Sequence, residues 1–149
     1  MLWREISWPF PRDGWPAGRA FRCGDAGCRG VELYVRPKAG FCNCDTGVAD
    51  DDEVDRVADL DLISPRFAPR QPGAPVRVAG LAGRIRAYDM QMPDGARRAA
   101  VGIALSRRCD LLVAVAQGEG SAEGVQRAAL SLLESNRIRR WLQSAMQAR

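Results

Sequence analysis

Four of the five cysteines fall between Phe21 and Cys44, in FRCGDAGCRGVELYVRPKAGFCNC, and no other stretch constrains the fold as much. Val31 to Arg36 alternates like a half-buried strand, Pro37 to Gly40 carries turn residues, and Phe41 to Cys44 has the length of a short return strand. Across that turn Arg36 faces Phe41, Val35 faces Cys42 and Leu33 faces Cys44. Side chains alternate along a strand, so Cys42 and Cys44 are expected on the core face with Val31, Leu33 and Val35. Cys23 and Cys28 arrive just before this hairpin. The expectation is a ribbon stapled by disulfides or clipped by a metal.

The spacing is C-x4-C, then thirteen residues, then C-x-C, with Cys109 far downstream. Cys23, Cys28, Cys42 and Cys44 are enough thiolates for tetrahedral zinc, although zinc knuckles use C-x2-C pairs. A Cys42–Cys44 disulfide is disfavoured, because same-face neighbours on a strand sit about 6–7 Å apart at Cα. Cross-pairs from Cys23 and Cys28 to Cys42 and Cys44 are easier. Cys109 reads as a buried thiol, or as a partner that leaves one of the four free. Structural disulfides are favoured over metal and over reduced buried thiols. A redox-active centre needs an exposed, low-pKa thiol, which an inward register does not provide.

At 149 residues the chain can bury a core of its own and reads as one domain. Its longest apolar run, Leu111 to Ala116, is too short to cross a bilayer. No charged and apolar leader precedes Trp3, so the expectation is either a cytoplasmic protein or one in which Met1 replaces a removed signal. Net charge is +4, distributed as about +3 over residues 1–44, −7 over 45–61 and +8 over 62–149. A basic body invites a nucleic-acid reading. Arginine outnumbers lysine 21 to 1, however, as a GC-rich genome would produce, and the arginines are scattered. Nucleic acid is therefore not the expected partner. The chain has no histidine and only Lys38 as lysine, which excludes Ser-His-Asp and Cys-His nucleophile pairs and histidine-ligated zinc hydrolases. Thiol or carboxylate chemistry is what remains for an enzyme.

Residues 1–18 set Trp3, Trp8, Phe10 and Trp15 among prolines and glycines, leading into a strand at Arg19 to Cys23. These aromatics form either a stacking surface for a ligand or, as preferred here, the anchor of an arm. Asp50 with Glu53 three residues on is a capping-box variant that opens a helix from about Asp51 to Leu60. Asp45, Asp50, Asp51, Asp52 and Glu53 are also a candidate cation or partner patch, but they lack the order of a calcium loop, and capping is favoured. Ser64 to Pro75 reads as a proline-rich connection. A three-stranded antiparallel meander follows. Its first strand is best at Gly83 to Met90, with Ile85 and Ala87 inward and Arg84, Arg86 and Tyr88 outward. Arg97 to Ser106 and Cys109 to Gln117 complete it, apolar on both faces and so expected to be covered on both sides. Apolar spacing at Val125, Ala128, Ala129, Leu132 and Leu133, then at Ile138, Trp141, Leu142, Ala145 and Met146, gives two helices that change phase at Ser135-Asn136. The loop Gly118 to Gly124 joins strand to helix as phosphate loops do. Its two glutamates and late third glycine favour a plain turn with an N-cap at Ser121.

The predicted class is α+β, an antiparallel sheet covered by helices. The order hairpin, helix, connection, meander and terminal helix resembles the PsbP-like α/β/α sandwich. The stretches CGDAGC, VELYVRPKAGFCNCDTGVADDDEVDRVADLDLI and RRCDLLVAVA are similar to uncharacterised secreted bacterial proteins with the same cysteine arrangement. That resemblance implies export, periplasmic or secreted, and paired cysteines. It transfers no catalytic residue. The resulting expectation is a non-enzymatic accessory or binding domain, without cofactor, that presents a surface to a protein or small ligand. A zinc protein is the first alternative, and a thiol or carboxylate enzyme the second.

Overall fold

In a computed structural model, which describes residues 1–28, 30–40 and 43–147, the chain is α+β. One antiparallel sheet is covered by helices on both faces. The strands are β1 (Trp3–Ile6), β2 (Arg19–Cys23), β3 (Glu32–Lys38), β4 (Arg66–Pro69), β5 (Ala74–Val78), β6 (Leu81–Gln91), β7 (Arg97–Arg107) and β8 (Asp110–Gly118). Helices α1 (Asp51–Val57) and α2 (Leu60–Ile63) follow β3, and α3 (Ala122–Leu133) and α4 (Asn136–Gln147) close the chain. The sheet order is β1-β2-β3-β8-β7-β6-β4, with β5 also on β6.

The meander is the spine, because β6, β7 and β8 are long and alternate apolar residues onto both faces. On one face Val101, Ile103, Leu105, Leu112 and Ala114 pack under Val125, Ala129, Leu132 and Leu133 of α3 and Ile138 and Leu142 of α4. On the other, Ala104, Leu111 and Val113 lie under Val54, Val57 and Ala58, while Tyr34, Tyr88, Met90 and Val115 lie under Leu60 and the N-terminal arm. Tyr88, expected outward, is therefore fully buried. The face it lines is roofed by α1 and α2, and its hydroxyl donates to Asp55.

Three expectations are corrected here. The ribbon from Val31 to Cys44 does not form, because β3 continues through Pro37 to Lys38 and pairs with β2 and β8. Pro37 is tolerated since it lies past Val35, where pairing with β2 ends, so β3 there has a partner on one side only. Phe41 and Cys42 lie outside the described residues; Asn43 makes a single bridge to Gly47, and Cys44 is exposed in a turn rather than on the core face. The proline-rich connection is not bare, for it supplies β4 and β5 to the free edge of β6. The acidic helix ends early, at Val57, because Asp59 takes a left-handed conformation (φ 68°, ψ 21°) that turns the chain into α2.

Candidate functional site

The N-terminal arm leaves β1, loops over the β3 surface and returns as β2. Gly18 makes the return possible. A Cβ there would overlap the Val35 carbonyl oxygen and come within 2.9 Å of the Trp8 ring. Trp8 and Phe10 pack edge-on against Tyr34, with ring centroids 6.2 and 4.8 Å away. Trp15 lies 5.7 Å from the Lys38 ammonium. Anchoring is thus a role these aromatics do fill. Trp3 packs elsewhere, against the α3–α4 face.

Beneath the arm sits a charge cluster of a kind seldom buried without partners. Arg36 is 2% exposed, Lys38 5% and Asp59 6%. Arg36 Nε and Nη2 donate to Asp59 at 2.8 and 3.0 Å. Its Nη1 and Nη2 donate to Asp13 on the arm at 3.0 and 2.7 Å, a two-pronged fork. Lys38 Nζ donates to Asp59 at 2.6 Å and to the Val57 carbonyl at 3.0 Å. The guanidinium also lies 5.4 Å from the Trp8 ring. Burial alone would pull the Arg36 pKa down; its hydrogen bonds to Asp13 and Asp59 reverse this and hold it above the ordinary value. The left-handed turn at Asp59 thus places the carboxylate that two buried cations share.

The arm does not close completely over this floor. A cavity of about 400 Å³ remains, lined by Trp8, Phe10, Asp13, Trp15 and Arg36 together with the loop backbone. That volume lies in the range of small-molecule sites, roughly 300–1,000 Å³, which combine apolar walls with a few convergent polar groups. A larger groove of about 520 Å³ runs past Arg66, Arg97 and Ser121 at the other side of the sheet. Arg66 and Arg97 are exposed there and Arg98, also in its lining, is about a quarter exposed and pairs with the exposed Glu119, so none of its cations is buried as Arg36 is. The aromatic cavity is the stronger candidate because its cation is desolvated.

Asp13 is the hinge between arm and floor. It accepts from the Trp15 amide across Gly14, whose φ is 93°, and its side chain keeps 33% exposure. The Arg36 hydrogen bonds hold its carboxyl at about 2, below its usual 3.8, against a smaller desolvation effect and with lesser help from Lys38. The depressed folded value means that its contribution is complete above about pH 4 and is lost as pH falls through about 2. Acidification is therefore expected to release the arm, and Trp8 and Trp15 emission to shift red with a midpoint near pH 2. Asp13→Asn is expected to lack that step; identical titrations would show that Asp13 does not hold the arm.

The cysteines divide differently from the expected cross-pairs. Cys23 and Cys28 lie at disulfide distance, with Cα atoms 5.7 Å apart, and Cys44 and Cys109 likewise, 4.1 Å apart. The first pair braces the β2–β3 connection, where the Cys23 carbonyl accepts from Gly30 and the Cys28 carbonyl from Val31. Both residues are buried. A cysteine-braced hairpin does exist, but its strands are β2 and β3. The second pair ties the loop after β3 to the β7–β8 turn. Glu32 pairs with Gln117 and Lys38 with Leu111, so the two pairs sit at opposite ends of β8, separated by roughly 25 Å at strand rise. Cys23, Cys28 and Cys44 therefore cannot join one zinc ion, and Cys42 lies outside the described residues. Among the described residues one group of potential metal ligands converges, Cys23, Asp25 and Cys28, and its two sulfurs face each other.

The acidic stretch is occupied by structural work. Asp50 accepts from the Glu53 amide at 3.0 Å and Glu53 from the Ala49 amide at 3.2 Å. Asp51 holds Arg84 and the Gly73 amide. Asp45 and Asp52 are exposed and do not converge with the others.

No protein-family model matches the chain, and no curated protein matches it. Among solved structures it is similar to PA94 of Pseudomonas aeruginosa, a protein of unknown function, at a TM-score of 0.52 and 15% identity over 83% of this chain and 85% of that one. The likeness shows the fold alone. The motif reading missed the Arg36–Lys38–Asp59 cluster, although two signals were present: the single lysine of the chain, and its place two residues after Arg36, on the same face of a largely apolar strand.

Proposed function

We propose that this chain is a non-enzymatic binding domain of an oxidising, extracytoplasmic compartment, periplasmic or secreted, and that it takes a small ligand in the cavity under the aromatic arm. One observation carries the binding half: a guanidinium buried to 2% exposure at the floor of an aromatic-walled cavity. Building such a floor costs desolvation that a purely packing role would avoid with apolar side chains. The two cysteine pairs at disulfide distance support the compartment, as does the resemblance to secreted proteins. Among the described residues no helix is long and apolar enough to cross a membrane.

The indole N–H resonances of Trp3, Trp8, Trp15 and Trp141 report on four separate places, two of them in the cavity wall. In a fragment screen of neutral and charged aromatic compounds, hits are expected to move the Trp8 and Trp15 signals and to leave Trp3 and Trp141 in place. If every hit moves the other two, or none moves any, the binding reading is wrong.

A further inference from the structure

The cations under the arm are balanced by two carboxylates of different character. Asp59 is 6% exposed and fixed by the turn between α1 and α2, where it serves Arg36 and Lys38 together. Asp13 comes from a surface loop, keeps a third of its side-chain surface in water, and touches Arg36 only through the outer edge of the guanidinium. Removing Asp13 takes away the carboxylate on the outer edge of the Arg36 guanidinium and leaves that buried cation short of a counter-charge. Such a charge costs several kcal/mol. Whatever enters the cavity deeply enough to displace Asp13 must therefore bring an anion, and the Nη1 and Nη2 prongs that Asp13 occupies match the two oxygens of a carboxylate. Around that fork the walls are Trp8, Phe10 and Trp15, which favour a flat, apolar body. The glycine at position 14, with its positive φ, and the proline on the far side of Trp15 give the loop tip a defined bend that carries Asp13.

Resting on the cavity reading above, we infer that the ligand is an aromatic or similarly flat carboxylate that replaces Asp13 on Arg36, so that Asp13 is a built-in competitor and the arm a latch. The chain occupies its own site when empty. Binding strength is then the intrinsic affinity reduced by the fraction of time Asp13 holds the fork.

Phenylacetate, its neutral isostere phenylacetamide, and phenyl phosphate separate the possibilities when titrated into the full chain and followed by calorimetry and the Trp8 and Trp15 resonances. Phenylacetate is expected to bind at least about tenfold more tightly than the amide, since a charged hydrogen-bonded pair is lost in the latter. Asp13→Asn keeps the hydrogen bond to the Trp15 amide but removes the competing charge. It is expected to raise phenylacetate affinity about tenfold, and by more than it changes amide affinity. Asp13→Ala is the second variant and is expected to act in the same direction, with circular dichroism matching the parent. Equal binding of amide and carboxylate at Trp8 and Trp15 would overturn the carboxylate inference and leave the cavity reading standing. Tighter binding of phenyl phosphate than of phenylacetate would overturn the ligand class. Unchanged or weaker phenylacetate binding in both Asp13 variants would overturn the competitor role. No response of Trp8 or Trp15 to any of the three would remove the cavity reading as well.

Discussion

Replacing Asp59 by alanine is expected to destabilise the fold by about 3–5 kcal/mol, because it strips the shared partner from two buried cations at once. Arg36 and Lys38 are 2% and 5% exposed, and both donate to the Asp59 carboxylate. Both sit on β3, which is hydrogen-bonded between β2 and β8. A second cost comes from the backbone, since alanine tolerates φ 68° less well than aspartate. Asp59→Gly separates the two contributions. It relieves the backbone cost and leaves the charge cost intact, so its unfolding midpoint in urea should lie only slightly above that of Asp59→Ala. If Asp59→Gly instead recovered most of the stability, the turn rather than the charge would be what Asp59 supplies.

The two cysteine pairs are expected to differ in worth. Cys44 and Cys109 are 65 residues apart in sequence and Cys23 and Cys28 only 5. In the chain-entropy account, closing the long loop is worth about 4 kcal/mol and the short one about 2. Removing the long link by Cys44→Ala with Cys109→Ala should therefore lower the guanidinium midpoint more than Cys23→Ala with Cys28→Ala. Burial pulls the other way for Cys23 and Cys28, whose side chains fill the α3–α4 face, and truncating them adds a cavity cost. Redox access separates the pairs independently. Cys44 is exposed whereas Cys23 and Cys28 are 1% and 5% exposed, so mild reductant on the folded protein should open Cys44–Cys109 first. Alkylation mapping that finds Cys23 and Cys28 labelled earlier would contradict the arrangement.

The elements most legible in the sequence were those whose pattern is set locally. Arg19 to Cys23 emerged as the strand it is, the two C-terminal helices broke at Ser135-Asn136 as their phase required, and the doubly apolar strands Arg97–Arg107 and Asp110–Gly118 are central and covered on both faces. What failed was partner choice. Pro37-Lys38-Ala39-Gly40 has turn composition, yet β3 runs on to Lys38 because its partner is β8, more than seventy residues away, and local composition carries no information about so distant a strand. Once β3 is assigned to β8, Cys44 can no longer face Leu33, and the cysteine pairing changes with it. Tyr88 was misplaced for a related reason, as an outward-looking position on a meander is buried when helices from earlier in the chain cover that face. The candidate site was only half visible. The aromatics of the arm stood out, but the cation floor did not, because Arg36 and Lys38 resemble ordinary surface residues until Asp59 and Asp13 are brought to them from two different segments.

The pairing of β3 with β8 also bears on when the molecule can fold. The strand that completes the hydrogen bonding of residues 32–38, residues 110–118, emerges more than seventy residues after them. Until then β3 has an unfilled edge opposite its pairing with β2. Long-range pairing of this kind delays closure of the sheet. A nascent chain kept open over that interval can be threaded through a narrow channel before Cys44 meets Cys109, whereas Cys23 and Cys28 are near enough in sequence to meet at once.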